Sequence, residues 1–364
     1  MTGKPTRPSV LDIESEAVPA NVRTRIAPTP SGYLHAGNAW SFLLTWLLAR
    51  SRGGKIHLRI DDLDAARFRE EYLEDIFASL EWLGLDWDSG PRSPAEFHSS
   101  YSQRLRRKSY RTALEALITQ ATLEGPLVYA CACSREQVKR ASRAAGSAGI
   151  YPGTCRDRGL PVVPAGLWHS GKGITSPAAE TALRLRIPVN TDVTLAEEAI
   201  GSLAFHPGED IGDFVLWQRN GEPAYQLASV VDDEILGINL VVRGRDLLPS
   251  TAAQAYLAGC LGAKAFPSAR FRHHGLLLAP GGEKLSKSSG SSPANEAFTL
   301  KAIRTRAHGR EGLFGFFAEC LGLGPDALTP REILAVFDPG KIPGHDLEWE
   351  DLARKLREAP ILPD

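Results

Sequence analysis

The chain has no excess of one charge, no long apolar run and too few cysteines for a covalent framework. Its 42 basic residues stand against 43 acidic ones, a net charge of −1. That balance excludes a globally basic nucleic-acid binder and leaves only a local basic patch for such a partner. The longest apolar run, Trp40 to Ala49, carries Ser41 and Thr45 and falls short of the roughly 20 residues a bilayer span needs. Residues 1–20 are polar, contain proline and turn acidic toward their end, so they read as a flexible tail without a secretory leader. Five cysteines in 364 residues, an odd count, argue against a disulfide scaffold. No internal repeat is evident. What the chain does have is 43% hydrophobic residues, enough for two or three packed units. A soluble cytoplasmic protein is the default expectation.

The pattern then organises itself around one loop. Val22 to Ala27 reads as a short strand. A helix from near Gly37 to Arg52 stops at Gly53-Gly54. Ile56 to Ile60 alternates as a strand does. Strand, loop, helix and strand make a βαβ unit, an α/β fold whose ligands sit at the carboxyl ends of the strands. A second helix has Tyr72, Leu73, Ile76, Phe77, Leu80 and Leu83 at helical spacing and ends at Gly84. Residues 126–204 read as an insertion with a Pro/Gly-rich stretch from Gly159 to Pro177. Phe214 to Gln218 and Ala224 to Ala228, joined through Asn220-Gly221, read as a β-hairpin. Val241 to Asp246 continues the core. The 77 residues after Lys287 (288–364) look helical, with Thr329-Pro330-Arg331-Glu332 as a capping box.

The loop itself is Arg25-Ile-Ala-Pro-Thr-Pro-Ser-Gly-Tyr-Leu-His35-Ala-Gly37-Asn38. Backbone N–H groups at a helix start attract phosphate, and glycine lets a ligand come close. Far downstream, Gly282-Glu-Lys284-Leu-Ser-Lys287-Ser288 carries two lysines on a loop. Together they suggest phosphate chemistry on a nucleotide; alone, each is an ordinary turn, with His35 a helix cap and Lys287 a solvated cation. Arg104 to Arg111 is a local basic run that suits an RNA backbone or a solvated helix face.

These blocks resemble those of the class I aminoacyl-tRNA synthetases. His35-Ala-Gly37-Asn38 resembles their "HIGH" signature, with Asn38 where the signature has histidine, and Lys284-Leu-Ser-Lys287-Ser288 resembles "KMSKS". The glutamyl branch is closer still. Its opening block is matched by Arg25 to His35, its "RIED" by Arg59-Ile-Asp61-Asp62, its "AYxLAxVVDD" by Ala224 to Asp233, and its "VRGxDLxxST" by Val242 to Thr251. The blocks keep the family order over roughly residues 22–290. The short stretch after Lys287 cannot supply the large anticodon-binding domains of a full glutamyl enzyme. Cys131-Ala-Cys133 with Tyr151-Pro-Gly-Thr-Cys155 resembles the zinc site of the short glutamyl-Q tRNA(Asp) subfamily.

The resemblance implies a Rossmann-type class I synthetase catalytic domain over 21–125 and 205–265, interrupted by a zinc-binding insertion at 126–204. A lysine-loop region at 266–300 and a short helical C-terminal extension at 301–364 follow. It implies ATP-dependent activation of L-glutamate to glutamyl-adenylate without tRNA, with Mg2+ accompanying ATP, and transfer to queuosine in tRNA(Asp). His35 and Lys287 would be catalytic, stabilising charge on phosphate oxygens. Gly37, Asn38 and Lys284 would join them around ATP. Arg25, Ile26, Ala27, Pro28 and Thr29 would face the amino acid with Tyr225. Arg243 would take the side-chain carboxylate in a bidentate fork; a structural pairing with Asp246 is its alternative. Asp61 would meet the substrate ammonium, although it is one methylene, about 1.5 Å, shorter than the family glutamate. Cys131, Cys133, Tyr151 and Cys155 would hold one structural zinc ion; buried thiols, or water in place of Tyr151, are the alternatives. A monomer with no membrane partner is expected. Other acceptors (a tRNA 3′ end, a carrier protein, a small molecule) and a non-catalytic RNA-binding paralogue remain open at this level.

Overall fold

The computed structural model describes residues 21–145, 149–162, 181–278, 296–324 and 327–348. They fall into two compact units. The first comprises the described residues of Pro19–Leu105, Leu240–Leu247 and Phe271–Asp364; the second comprises those of Arg106–Asn239 and Leu248–Arg270.

In the first unit the strand Arg23–Ile26 pairs in parallel with Lys55–Leu58, Arg25 opposite His57 and Ile26 opposite Leu58. The helix Ala36–Arg50 connects them, as the hydrophobic pattern predicts. Trp40, Leu43, Leu44, Leu47 and Leu48 are all buried, so the helix is apolar on nearly every face and lies inside the unit's core. Gly53 takes the left-handed φ of 62° and Gly54 passes so close to Val22 that a Cβ would meet its carbonyl oxygen at 2.8 Å. The helix Glu70–Leu83 buries Leu73, Ile76, Leu80 and Leu83 and ends on Gly84 at φ 72°, where only glycine is free of strain. The strand Leu240–Gly244 packs beside Arg23–Ile26 and is hydrogen-bonded to Arg270–His274. The helix Pro330–Ala335 starts at Thr329, whose Oγ1 accepts from the Glu332 N–H. The Glu332 carboxylate takes the Leu328 N–H at 2.9 Å, so the expected capping box is displaced by one residue.

In the second unit Val128–Cys131 pairs antiparallel with Ala182–Leu185, which pairs antiparallel with Phe214–Trp217. The helices Arg107–Ile118, Tyr225–Ile235 and Leu248–Leu261 belong to the same unit. One expectation fails here. Residues 224–228 are not the second strand of a hairpin; Tyr225–Ile235 is a helix. The turn through Asn220-Gly221 does form, and the chain returns only as far as Ala224, whose N–H meets the Leu216 carbonyl at 2.8 Å. Beyond it Leu227, Val230, Val231 and Glu234 recur at helical spacing and are buried, so tertiary burial outweighs the hairpin signal. Two helix starts are then fixed by buried acids. Asp232 accepts from Arg106 Nε at 2.8 Å and from the Tyr110 hydroxyl at 2.8 Å. Glu234 accepts from the Lys264 and Ala265 N–H groups at 2.9 and 2.8 Å.

Candidate active site and metal cluster

The parallel pair brings the two amino-terminal sequence blocks together. Arg59 N–H donates to the Ile26 carbonyl, and Asp61 N–H to the Pro28 carbonyl, each at 2.9 Å. Ile26, Pro28 and Asp61 are therefore neighbours at the carboxyl ends of the two strands, where α/β sheets place their ligands. Arg25 and Arg243 each occupy the penultimate position of a strand and are 5% and 4% exposed. Two buried guanidinium groups at strand ends have the charge and the planar fork that suit a carboxylate ligand. Ala27 and Thr29 continue the same loop, and the Thr29 carbonyl accepts from the Ser31 N–H at 2.9 Å. Asp61 itself is held in a bidentate pair by Arg59, at 2.7 and 3.1 Å. Arg59 and Asp61 are two residues apart in extended chain, a spacing that puts both on one side. The two-residue spacing carries that partnership in the sequence itself. Asp62, on the opposite side, accepts from the Ser102 hydroxyl and the Gln103 N–H.

His35 stands immediately before the first helix. Its own N–H donates to Asn38 Oδ1 at 3.0 Å, so Asn38 fastens the helix start from within. A Cβ at Gly37 would come to 3.0 Å from two ring atoms of His35; glycine gives the imidazole its place over the first turn. Flanking backbone groups tie His35 to the segment that follows the lysine loop, through Ala36 N–H to Phe298 O at 3.1 Å and Leu300 N–H to Leu34 O at 2.7 Å. Lys284 and Lys287 lie outside the described residues.

A buried histidine not singled out from the sequence steadies the same helix. His274 is held between the Gly275 carbonyl, 2.8 Å from Nδ1, and Ser41 Oγ, 3.0 Å from Nε2. Burial pushes its pKa down to about 4, against a weaker upward pull from the Gly275 carbonyl and Asp246. The ring is thus neutral near pH 7, with Nδ1–H donating to the Gly275 carbonyl and Nε2 accepting from the Ser41 hydroxyl.

In the second unit Tyr225 opens the helix Tyr225–Ile235, where a hairpin strand is expected, and is 44% exposed. The basic run Arg104–Arg111 spends three of its five cations on acids. Arg104 faces Asp62, Arg106 pairs with buried Asp232, and Arg107 with Glu222.

The structure brings Cys131, Cys133, Tyr151 and Cys155 together. Their three sulfurs lie within 4.8 Å of one another. The Cys133 and Cys155 sulfurs are 3.5 Å apart, and the Tyr151 hydroxyl is 3.3 Å from Cys131 Sγ and 3.7 Å from Cys133 Sγ. A tetrahedral ion with metal–sulfur bonds of about 2.3 Å spaces its sulfurs about 3.8 Å apart. The four side chains fit such an ion, and three thiolates make a soft donor set. Cys131 ends the strand Val128–Cys131, while a backbone bridge from Tyr151 to Gly212 brings the other arm to it. Burial alone would raise the Cys155 thiol, but hydrogen bonds from Tyr151, the Ala132 backbone and the other cysteines bring it down to about 7. Burial pushes Cys133 up to about 11 and Tyr151 upward as well. Cys155 is therefore more readily a thiolate than Cys133 for an arriving cation.

Around the cluster the side chains are cationic and fixed. Arg184 lies over the Tyr151 ring, 3.8 Å from its centroid, and donates to the Asp213 carbonyl at 2.8 Å. Arg156 grips the Asp213 carboxylate at 2.9 and 2.7 Å, and the Tyr129 hydroxyl adds a third bond at 2.6 Å. Asp213 thus connects the strand that precedes Cys131 to the loop that carries Cys155. Three residues from separate stretches converge on it, so no local pattern announced it.

Residues 21–312 match the family model described as tRNA synthetases class I (E and Q), catalytic domain. The chain belongs to that family and is an enzyme of the aminoacyl-tRNA synthetase type. Among its relatives, the glutamyl-Q tRNA(Asp) synthetase of Symbiobacterium thermophilum is 40% identical over 325 residues, covering 88% of this chain and 93% of that protein. The protein of that name from Nitratidesulfovibrio vulgaris is 36% identical, covering 90% and 95%. The glutamate–tRNA ligase of Symbiobacterium thermophilum is 34% identical, covering 88% of this chain and 64% of that protein. The crystal structure of glutamate–tRNA synthetase from Elizabethkingia anophelis shares the fold, with a TM-score of 0.68 at 24% identity over 92% of this chain and 70% of that one. Class I synthetases use ATP with Mg2+, and among the described residues no helix is long and apolar enough to cross a membrane.

Proposed function

We propose that the chain activates L-glutamate with ATP, without tRNA, and transfers the glutamyl group to queuosine in the anticodon of tRNA(Asp). The observation that carries the first half is the gathering of Arg25, Pro28, Asp61 and Arg243 at strand ends beside a helix that begins at His35. Arg243, assisted by Arg25, receives the side-chain carboxylate; a neutral amide would leave a buried guanidinium without its anion, which selects glutamate over glutamine. Asp61, shared with Arg59, takes the ammonium. A carboxylate oxygen of the substrate attacks the α-phosphorus, the bond to the β-phosphate oxygen breaks, and pyrophosphate leaves. His35 from the helix start and Lys287 from its loop, with Gly37, Asn38 and Lys284 around the nucleotide, meet the charge that grows on the phosphate oxygens. A hydroxyl of queuosine then attacks the acyl carbon and AMP departs.

The acceptor is supported by the four-residue cluster and by the relatives at 36–40% identity that carry that activity in their names. Cys131, Cys133, Tyr151 and Cys155 would hold zinc, which supplies structure and no catalysis. The protein acts in the cytoplasm as a monomer. Pyrophosphate exchange that depends on glutamate and needs no tRNA tests the activation step; its absence in metal-loaded protein refutes it. Labelled glutamate offered with tRNA that has or lacks queuosine tests the acceptor. Label on the unmodified tRNA, or at a 3′ end, refutes it.

A further inference from the structure

The helix Arg135–Ala144 begins just after Cys133 and is fastened to the cysteine cluster. Ser134 caps it, with Oγ accepting the Gln137 N–H at 3.2 Å and the Ser134 N–H meeting Gln137 Oε1 at 2.7 Å. Val138 packs against the cluster, and buried Ser142 takes the Gly149 N–H at 2.9 Å. Val138 and Ser142, four residues apart, thus define the inward face. Arg135, Lys139 and Arg143 follow at the same spacing on a different face, with Arg140 beside them, and all four are exposed.

Several other cations of their unit are committed to acids. Arg106, Arg107, Arg156 and Arg186 each pair with an acid. Among the described residues, no ion pair to Arg135, Lys139, Arg140 or Arg143 is formed. With Glu136 counted, ten residues carry a net charge of +3, in a chain whose total is −1. A solvated helix face ordinarily intersperses both signs to lower its self-repulsion. The row from Arg135 to Arg143 spans about 12 Å, long enough to follow successive phosphates of one strand. Its mounting on the cysteine cluster through Val138 fixes its direction, which a steering patch alone does not need.

We infer that the exposed face of the helix Arg135–Ala144 is an RNA-binding surface that tracks the phosphate backbone of the acceptor tRNA. The inference rests on the tRNA partner of the proposed function and assigns the surface that meets it. Each cation that releases a counterion adds nearly one to the slope of log affinity against log salt. The contact positions the RNA and does not read its sequence.

The test is fluorescence anisotropy of labelled unfractionated tRNA with the metal-loaded full chain, titrated from about 50 to about 200 mM salt. The K139Q/R140Q/R143Q variant keeps strong helix formers at exposed sites, and circular dichroism checks its fold. Its affinity is expected to fall roughly ten- to a hundredfold near 0.1 M salt, with a slope smaller by about 2–3. The K139R/R140K/R143K variant, with the charge retained, is expected to stay within about threefold of the parent. Unchanged affinity and slope in the glutamine variant overturns the surface, as does an unsubstituted chain that binds no tRNA. Pyrophosphate exchange without tRNA, read on the unsubstituted chain, is independent of the helix. Its presence beside an unchanged slope condemns the surface alone, and its absence condemns the proposed activation.

Discussion

Acidification should loosen the first unit through one side chain, His274. Its ring is buried and bonded to Ser41 on the helix that carries His35 and Asn38. Burial moves its pKa from 6.5 to about 4; the neighbouring Asp246 pulls it up, while His273 and Arg272 push it down. The sign follows from proton uptake. Below pH 6.5 the unfolded chain binds a proton that the folded chain refuses until about pH 4. The stabilisation is therefore complete above 6.5 and is lost as pH falls toward 4. At about 1.4 kcal/mol per tenfold, the whole displacement is worth about 3 kcal/mol, of which about 2 kcal/mol disappears between pH 7 and 5. Urea unfolding of the parent and of H274Q at both pH values isolates the contribution, because other acids titrate alike in the two proteins. The parent should lose about 2 kcal/mol more than the variant. NMR of the ring reports the same group directly. An imidazole that titrates near 6.5, or equal pH dependence in the two proteins, refutes the reasoning.

Three further outcomes follow from named contacts. Arg106→Met removes the guanidinium from the fully buried Asp232, to which the Tyr110 hydroxyl still donates; it should cost about 3–5 kcal/mol by thermal melting, and much less when Asp232 is already asparagine. Gly275→Ala places a Cβ 1.6 Å from the His345 carbonyl oxygen, so the pairing of Leu277–Leu278 with Leu347–Glu348 must open. A loss of at least about 2 kcal/mol is expected, and a melting temperature within a degree of the parent would contradict it. Cys155→Ser should bring bound metal, measured by elemental analysis after dialysis against a chelator, from about one per chain to a small fraction. Cys260→Ser, outside the cluster, should leave it near one.

The parts of this structure that are legible in the sequence are those with local causes. Periodicity and glycine stops placed the helices Ala36–Arg50 and Glu70–Leu83 within a residue or two. The hairpin at Asn220-Gly221 shows the limit. The turn was right, but the decision between strand and helix after Ala224 belonged to burial of Leu227 and Val231 by distant chain. At the strand ends, the adjacency of Pro28 and Asp61 follows from the βαβ pattern. The grip of Arg59 on Asp61 needed only a two-residue spacing to be noticed. His274 and Asp213 were out of reach, because their partners come from far along the chain. The basic run at Arg104 drew notice by density, yet pairing decides which cations remain outward, and pairing is a property of the fold.

The Cys133 and Cys155 sulfurs lie 3.5 Å apart, and a disulfide of about 2.05 Å needs only a small approach from there. Peroxide that reaches the metal-free chain would oxidise the Cys155 thiol to a sulfenic acid and release water. The sulfenic acid so formed would condense with the Cys133 thiol and release water. The metal-free chain should then lose two hydrogens by mass, and the loaded chain none. Once closed, the pair offers no thiolates until a reductant reopens it. Metal starvation and oxidative stress thus converge on the same pair of sulfurs, and the first leaves the chain open to the second.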